Sequence, residues 1–244
     1  MEDINIISFG AGQNSTAMII LMKNQNFPIT EIIYAETGNE MPETYVFLEH
    51  FKLWCKNNNL KFTEVKSHLG TLKDFYYMNK IIPYRMFRSC THKFKIIPID
   101  KYIQNTYGKK TKINMYMGIS YEEQHRMDKI RGRKPITYFF PLVKQKIDRE
   151  KCVEIIKAEG LPVPVKSGCY FCPFQTKKSW RKLYESHPEL FKLSVDFEKN
   201  GKAYPSGNFM GNMTLEQLEH IIKEQRTLFD NEDIGLTKCA FCHT

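Results

Sequence analysis

Four of the seven cysteines stand as two C-x-x-C pairs, Cys169/Cys172 and Cys239/Cys242. Two such turns place four thiolates at the corners of a tetrahedron, which suits either a closed zinc site or a [4Fe-4S] cluster. Cys90 stands alone and could replace a C-terminal ligand in a cluster, whereas Cys55 and Cys152 fall in helix-like segments where core packing is the commoner role. An odd, uneven set of this kind is not a disulfide framework. The second segment with chemical potential is Ser8-Phe9-Gly10-Ala11-Gly12-Gln13-Asn14-Ser15-Thr16, where an apolar strand meets a helix. Gly10 and Gly12 permit close backbone approach, and the amides of Gly12 to Thr16 form a nest at the positive end of the helix, suited to phosphate. The segment is neither a Walker loop nor a Rossmann G-x-G-x-x-G.

This segment resembles the S-G-G-x-D-S loop of the N-type ATP pyrophosphatase (PP-loop) superfamily, and three more resemble one branch of it, the phosphoadenylylsulfate (PAPS) reductase-like proteins. Ala35-Glu36-Thr37-Gly38-Asn39-Glu40-Met41-Pro42-Glu43-Thr44-Tyr45 resembles D-T-G…P-E-T-Y, and Arg88-Ser89-Cys90-Thr91-His92-Lys93-Phe94-Lys95-Ile96-Ile97-Pro98 resembles R-x-C-C-x-x-x-K-x-x-P. Gly118-Ile119-Ser120-Tyr121-Glu122-Glu123-Gln124-His125-Arg126 is similar to G-x-x-x-x-E-x-x-R. The resemblance implies a Rossmann-like α/β fold that binds ATP with magnesium, a substrate oxygen attacking the α-phosphorus to give an adenylated substrate and pyrophosphate. It implies that Ser8, Gly10, Ala11, Gly12, Gln13, Asn14, Ser15 and Thr16 cradle phosphate, and that Glu36, Thr37, Gly38 and Gly118 line the nucleotide pocket. Arg88, Lys93, Glu123 and Arg126 would meet the substrate, and Asn14, Ser15, Glu36 and Arg126 would act in catalysis. Gly10, Ala11 and Asn14 stand where the loop has Ser, Gly and Asp, and Glu36 stands where the second motif has Asp.

Relatives that transfer sulfur to tRNA or DNA join such a site to a cysteine-held cluster, so a nucleic acid or small anionic substrate and a sulfur donor protein are the partners this resemblance implies. Asn14 and Glu36 favour an alternative, a non-catalytic nucleotide- or nucleic-acid-binding module with a structural zinc. A further alternative is a sulfonucleotide (PAPS or APS) reductase, whose closing E-C-G-L-H is faintly echoed by Lys238-Cys239-Ala240-Phe241-Cys242-His243.

The elements that must position these residues are legible as hydrophobic patterning. Apolar runs predict strands over Asn5–Phe9, Glu31–Ala35, Lys61–Val65 and Asn114–Ile119, with helices over Ser15–Gln25, Pro42–Asn57 and Pro98–Tyr107 between them. Strands alternating with helices imply a parallel sheet covered on both faces, whose ligands bind at the carboxyl ends of the strands. After about residue 165 only helical segments follow, at Thr176–Ser186, Pro188–Asn200 and Thr214–Phe229, so an α/β domain over 1–165 and a helical, cysteine-rich metal subdomain over 166–244 are expected.

With 42% hydrophobic and 26% charged residues in 244, the chain has globular composition, which excludes disordered and fibrous classes. No apolar run approaches the roughly 18 residues of a membrane span, and the opening Met1-Glu2-Asp3 is acidic where a signal peptide is basic, so the chain reads as cytoplasmic. The net charge of +9 is unevenly spread: residues 85–182 hold 23 basic and 8 acidic side chains. That field suits a phosphate-rich partner, particularly at Lys129–Lys134 and Lys177–Lys182.

Overall fold

A computed structural model describes residues 4–83, 88–130, 134–201, 208–211 and 213–224. The chain divides into two compact units, one of Met1–Lys73 with Ser89–Cys169 and one of Asp74–Arg88 with Tyr170–Thr244.

In the first unit β1 (Ile4–Phe9), α1 (Gln13–Asn24), β2 (Glu31–Glu36), α2 (Pro42–Asn57) and β3 (Phe62–Lys66) lead through α3 (Leu72–Met78), which carries the chain into the second unit. The first unit resumes at a one-turn α4 (Ser89–Thr91), which runs through a π-turn at His92–Ile96 into α5 (Ile97–Tyr107). There follow β4 (Ile113–Met117), a 3-10 segment at Tyr121–Lys129, β5 (Ile136–Phe139), α6 (Pro141–Lys144) and α7 (Arg149–Ala158). The five strands are all parallel, in the order β3-β2-β1-β4-β5. Strand β5 was absent from the sequence expectation. It is a four-residue edge strand whose side chains are all partly or fully exposed, so it lacks the continuous apolar run that marks an interior parallel strand.

Alternation along each strand divides the core between two faces. Ile7, Phe9, Ile32 and Tyr34 face α1, α2 and α7, where Met18, Ile19, Phe47, Phe51, Cys55, Cys152 and Ile156 complete one cluster. Ile6, Ile33, Ala35, Ile113 and Met115 face Ile99 and Ile103 of α5 on the other side. Glu159, just beyond α7, ties three helices by accepting from Lys23, Asn24 and Trp54. Cys55 and Cys152 are core residues, and burial pushes both thiols up to about 12, leaving them protonated and inert.

In the second unit α8 (Lys177–Ser186), α9 (Pro188–Asn200) and a helix at 215–224 enclose an aromatic core. Phe197 lies 4.8 Å from Phe171 and stacks on Phe209 at 5.7 Å, while Trp180 lies 5.6 Å from Phe209. Buried Glu198 accepts from the amides of Phe209 and Leu215, holding the start of the 215–224 helix. Trp180 is fully buried, so in the second basic cluster the exposed groups are Lys177, Lys178 and Lys182 and no ring is offered to a base. Among the described residues no helix is long and apolar enough to cross a membrane.

Candidate functional site

Strand order reverses direction between β1 and β4, so the crevice of this sheet lies beyond the carboxyl ends of those two strands. The loop Gly10–Gly12 leaves β1 there and enters α1 at Gln13. Among the described residues no side chain caps α1, and its first turn carries no acidic residue. The first backbone bond of the helix is Thr16 N to Gly12 O at 3.1 Å, so the amides of Gln13, Asn14 and Ser15 precede it and project at the helix's positive end. The Ser15 and Thr16 hydroxyls also donate to Gly12 O, at 3.1 and 3.0 Å, and the Gly10 amide donates to Ser15 Oγ at 3.4 Å. The strained residue is Ala11, at φ 52°, a left-handed conformation that costs about 1 kcal/mol or more for a residue with a Cβ.

Side chains from the end of β4 complete this corner. Gly118 follows the strand so closely under α1 that a Cβ there would sit 2.5 Å from the Cα of Ser15. Ser120 Oγ and Glu123 Oε2 each accept from Asn14 Nδ2 at 3.0 Å, and Arg126 Nη1 reaches the same Glu123 oxygen at 3.0 Å. The structure thus brings Gly12, Asn14, Ser15, Gly118, Glu123 and Arg126 into one corner.

A second cluster sits past β2. The Glu36 carboxylate accepts from the Gly38 amide and, at 3.1 Å, from the Tyr45 hydroxyl, which itself accepts from Glu40 N at 3.2 Å. Buried Glu40 takes Lys95 Nζ at 3.0 Å and Thr37 Oγ1 at 3.3 Å on one carboxylate oxygen; its other oxygen is buried without a partner among the described residues. Burial alone would push the Lys95 ammonium down, but Glu40, with Cys169 and Cys90 in electrostatic range, holds it above the usual lysine value. The Cys169 backbone bridges that of Glu40. Lys95 was missed by the sequence reading, although the lysine column of R-x-C-C-x-x-x-K falls on it and not on Lys93. Lys93 lies in the π-turn, where its carbonyl accepts from Ser67 Oγ at 3.2 Å. Arg88 belongs to the second unit and lies over the Phe174 ring, 5.5 Å from its centre.

Cys239 and Cys242 lie outside the described residues, as does most of the basic cluster at 129–134. Cys90 and Cys169 belong to the first unit and Cys172 to the second. Among the described residues no group of three or more His, Cys, Asp or Glu side chains is placed to hold a metal ion.

Gly12 gives a direct test of the loop. A Cβ at this position would meet Ser167 Oγ at 3.0 Å, a side-chain end that can turn away, so folding should tolerate it. Gly12→Val would still raise bulk over the amide nest, and ATP affinity by calorimetry should fall at least about tenfold while the melting temperature changes by only a few degrees.

The family model described as phosphoadenosine phosphosulfate reductase domain matches residues 4–131. An uncharacterised nin region protein of Escherichia phage lambda is 25% identical over 203 residues, 74% of this chain and 68% of that protein. Among solved structures, a PAPS reductase from Candida auris in a phosphate complex gives a TM-score of 0.50 at 11% identity, covering 67% of this chain and 76% of that one. A U34-tRNA thiolase from Methanococcus maripaludis, solved with its [4Fe-4S] cluster, gives 0.44 at 14% identity over 81% of this chain and 72% of that one. The likeness to the reductase is one of fold.

Proposed function

The chain belongs to the phosphoadenosine phosphosulfate reductase domain family, and from that premise we propose that it binds ATP with the phosphates at the start of α1 and adenylates a substrate. The carrying observation is the uncapped first turn of α1 at the reversal of strand order, closed from behind by Gly118. In the proposed step a substrate oxygen bonds to the α-phosphorus, the bond to the bridging oxygen of the β-phosphate breaks, and pyrophosphate leaves. Such chemistry needs positioning and charge neutralisation more than covalent help. The amides of Gln13 to Ser15 and the Arg126 guanidinium supply both. Magnesium entering with the triphosphate would find carboxylate oxygens on Glu36 and Glu123, the hard ligands it prefers, and would add charge neutralisation.

ATP incubated with the protein and candidate acceptors, nucleic acids and small anions alike, should yield AMP and pyrophosphate in equal amounts. Release of ADP and phosphate would sink the reading. A second reading, a nucleotide-binding module without turnover, is favoured by Asn14, whose amide nitrogen is engaged by Ser120 and Glu123 where the resembled loop has a carboxylate. Tight ATP binding with no AMP formed under any acceptor would select it.

The metal belongs to the same proposal. Cys169, Cys172, Cys239 and Cys242 are the proposed ligands of zinc or a [4Fe-4S] cluster, and coupling to sulfur transfer from a donor protein depends on which it is. Anaerobic purification should give either one zinc and no visible absorption, a structural site, or iron and sulfide with visible absorption, a cluster. Loss of a cluster in Cys90→Ser but not in Cys242→Ser would replace the last ligand by Cys90, which lies, like Cys169, in electrostatic range of Lys95, the observation that keeps it in the set.

A further inference from the structure

Asn14 stands where the resembled loop has an aspartate, and taken alone it looks like a lost carboxylate. Its contacts give it a different meaning. Both hydrogens of the amide are used, one on Ser120 Oγ and one on Glu123 Oε2, each at 3.0 Å. Asn14 is buried, as is Ser120, so the bond between them forms away from solvent, while the bond to Glu123 is part-buried and Asn14 Oδ1 has no partner among the described residues. The carboxylate oxygen that Asn14 holds is the one that Arg126 Nη1 reaches at 3.0 Å. One oxygen therefore links the first turn of α1 to the guanidinium of the 3-10 segment, across 109 positions of sequence. The Glu123–Arg126 ion pair, three residues apart and half-exposed, would be weak and mobile by itself; the buried amide fixes the acid from the other side.

We infer that Asn14 and Glu123 are a matched amide–carboxylate pair, Asn14 acting as a positioning residue that holds Glu123 and, through it, Arg126 at the phosphate loop. This rests on the nucleotide-binding reading and adds a residue-level consequence to it: the carboxylate of this corner is on Glu123, and residue 14 must be neutral. An Asn14→Asp change, which restores the resembled motif, would set a second carboxylate about 3 Å from the first, where like charges cannot both ionise without penalty.

The test is a cycle of Asn14→Asp, Glu123→Gln and the double variant, read by ATP affinity in calorimetry and by thermal unfolding without ligand. Asn14→Asp should weaken ATP at least tenfold and lower the melting temperature. Adding Glu123→Gln should recover both to the level of Glu123→Gln alone, because the new glutamine amide donates to the new carboxylate and the bond re-forms in reverse. A residue needed only for bulk stability would not be rescued by that swap. Asn14→Asp binding ATP as tightly as the wild type, or tighter, would overturn the inference, and so would failure of the double variant to recover. Should Asn14→Asp not fold, Asn14→Ala and Arg126→Ala replace it: if Asn14 acts through Arg126, the double variant binds ATP no more weakly than Arg126→Ala, and additive losses overturn the claim. If no form, wild type included, binds ATP, the proposed function fails, and the unfolding cycle still decides the pair. Absent coupling removes it, and present coupling leaves a structural clamp, which overturns the positioning role.

Discussion

Gly118→Ala should lose roughly a hundredfold in ATP affinity and about 2 to 3 kcal/mol of stability, near the top of the range for overpacking a closed contact. The added Cβ would lie 2.5 Å from Ser15 Cα, 2.6 Å from Ser15 N and 2.9 Å from the Asn14 carbonyl carbon. Every one of those atoms is backbone, so no side chain can turn aside. The end of β4 and the first turn of α1 would have to separate, and that turn carries the proposed phosphate-binding amides. A shift of this kind misplaces the amide nest and breaks the register between Asn14 and Glu123 in one move. Gly10→Ala is the matched control for stability, since a Cβ at Gly10 meets nothing within 4 Å among the described residues. Calorimetry with ATP on Gly118→Ala, and melting temperatures falling by about 4 to 12 °C in Gly118→Ala and little in Gly10→Ala, check the account. Equal behaviour of the two would remove the close approach of β4 to α1 from the explanation.

That contrast shows where sequence carried information. Gly10 and Gly12 drew notice as adjacent glycines in a strand-to-helix turn, yet Gly10 is open and the positive φ belongs to Ala11. The demand for a missing Cβ is at Gly118, more than a hundred residues away, because it arises from packing between two elements that only the sheet order brings together. Patterning was sufficient for the interior: β1, β2 and β4 are apolar runs buried on both faces, and α2 begins on Pro42 as its position in the first turn suggests. It failed where burial is partial. The edge strand β5 has no buried residue and showed no periodicity above its surroundings, and α7 buries only Cys152 and Ile156 in a charged sequence, so the segment around Cys152 read as helix-like without defined bounds.

Motif register is a finer guide than residue type, and the reading that named Lys93 did not follow it. The run Lys93-Phe94-Lys95 offers two lysines, and counting along the resembled motif selects Lys95, the one whose ammonium meets buried Glu40. Pairings such as Asn14 with Glu123 left no trace in either segment. A polar residue in a helix's first turn reads as a cap or a ligand, and its true acceptor is fixed by tertiary contact alone.

The other large effect is expected far from the site, at the opposite end of β2. Glu31 opens that strand with a fully buried side chain and accepts four donors: Thr63 Oγ1 at 2.5 Å, Tyr107 OH at 2.6 Å, Tyr102 OH at 2.8 Å and Lys61 Nζ at 3.0 Å. Burial by itself would raise this carboxyl's pKa, but the hydrogen bonds from Thr63, Tyr107, Lys61 and Tyr102 outweigh it and hold the group below the ordinary value of 4.5. Glu31→Ala strands two tyrosine hydroxyls and a threonine, while Lys61, more than half exposed, turns to solvent, and should cost about 2 to 3 kcal/mol, the upper part of the range for leaving buried hydrogen-bonding groups unmatched. Glu31→Gln keeps the shape but loses the charge-assisted bonds and should fall between. Because the folded pKa lies below the unfolded one, the stabilisation from ionised Glu31 is fully present above about pH 4.5 and drains away as pH falls from there toward the folded value. Urea unfolding should therefore show a gap between wild type and Glu31→Gln that is full at pH 7 and narrows below pH 4.5, while ATP affinity of the folded variant stays at the wild-type level. A gap that widened in acid would mean that Glu31 is protonated in the folded protein, and the four-donor account of this end of the sheet would be wrong.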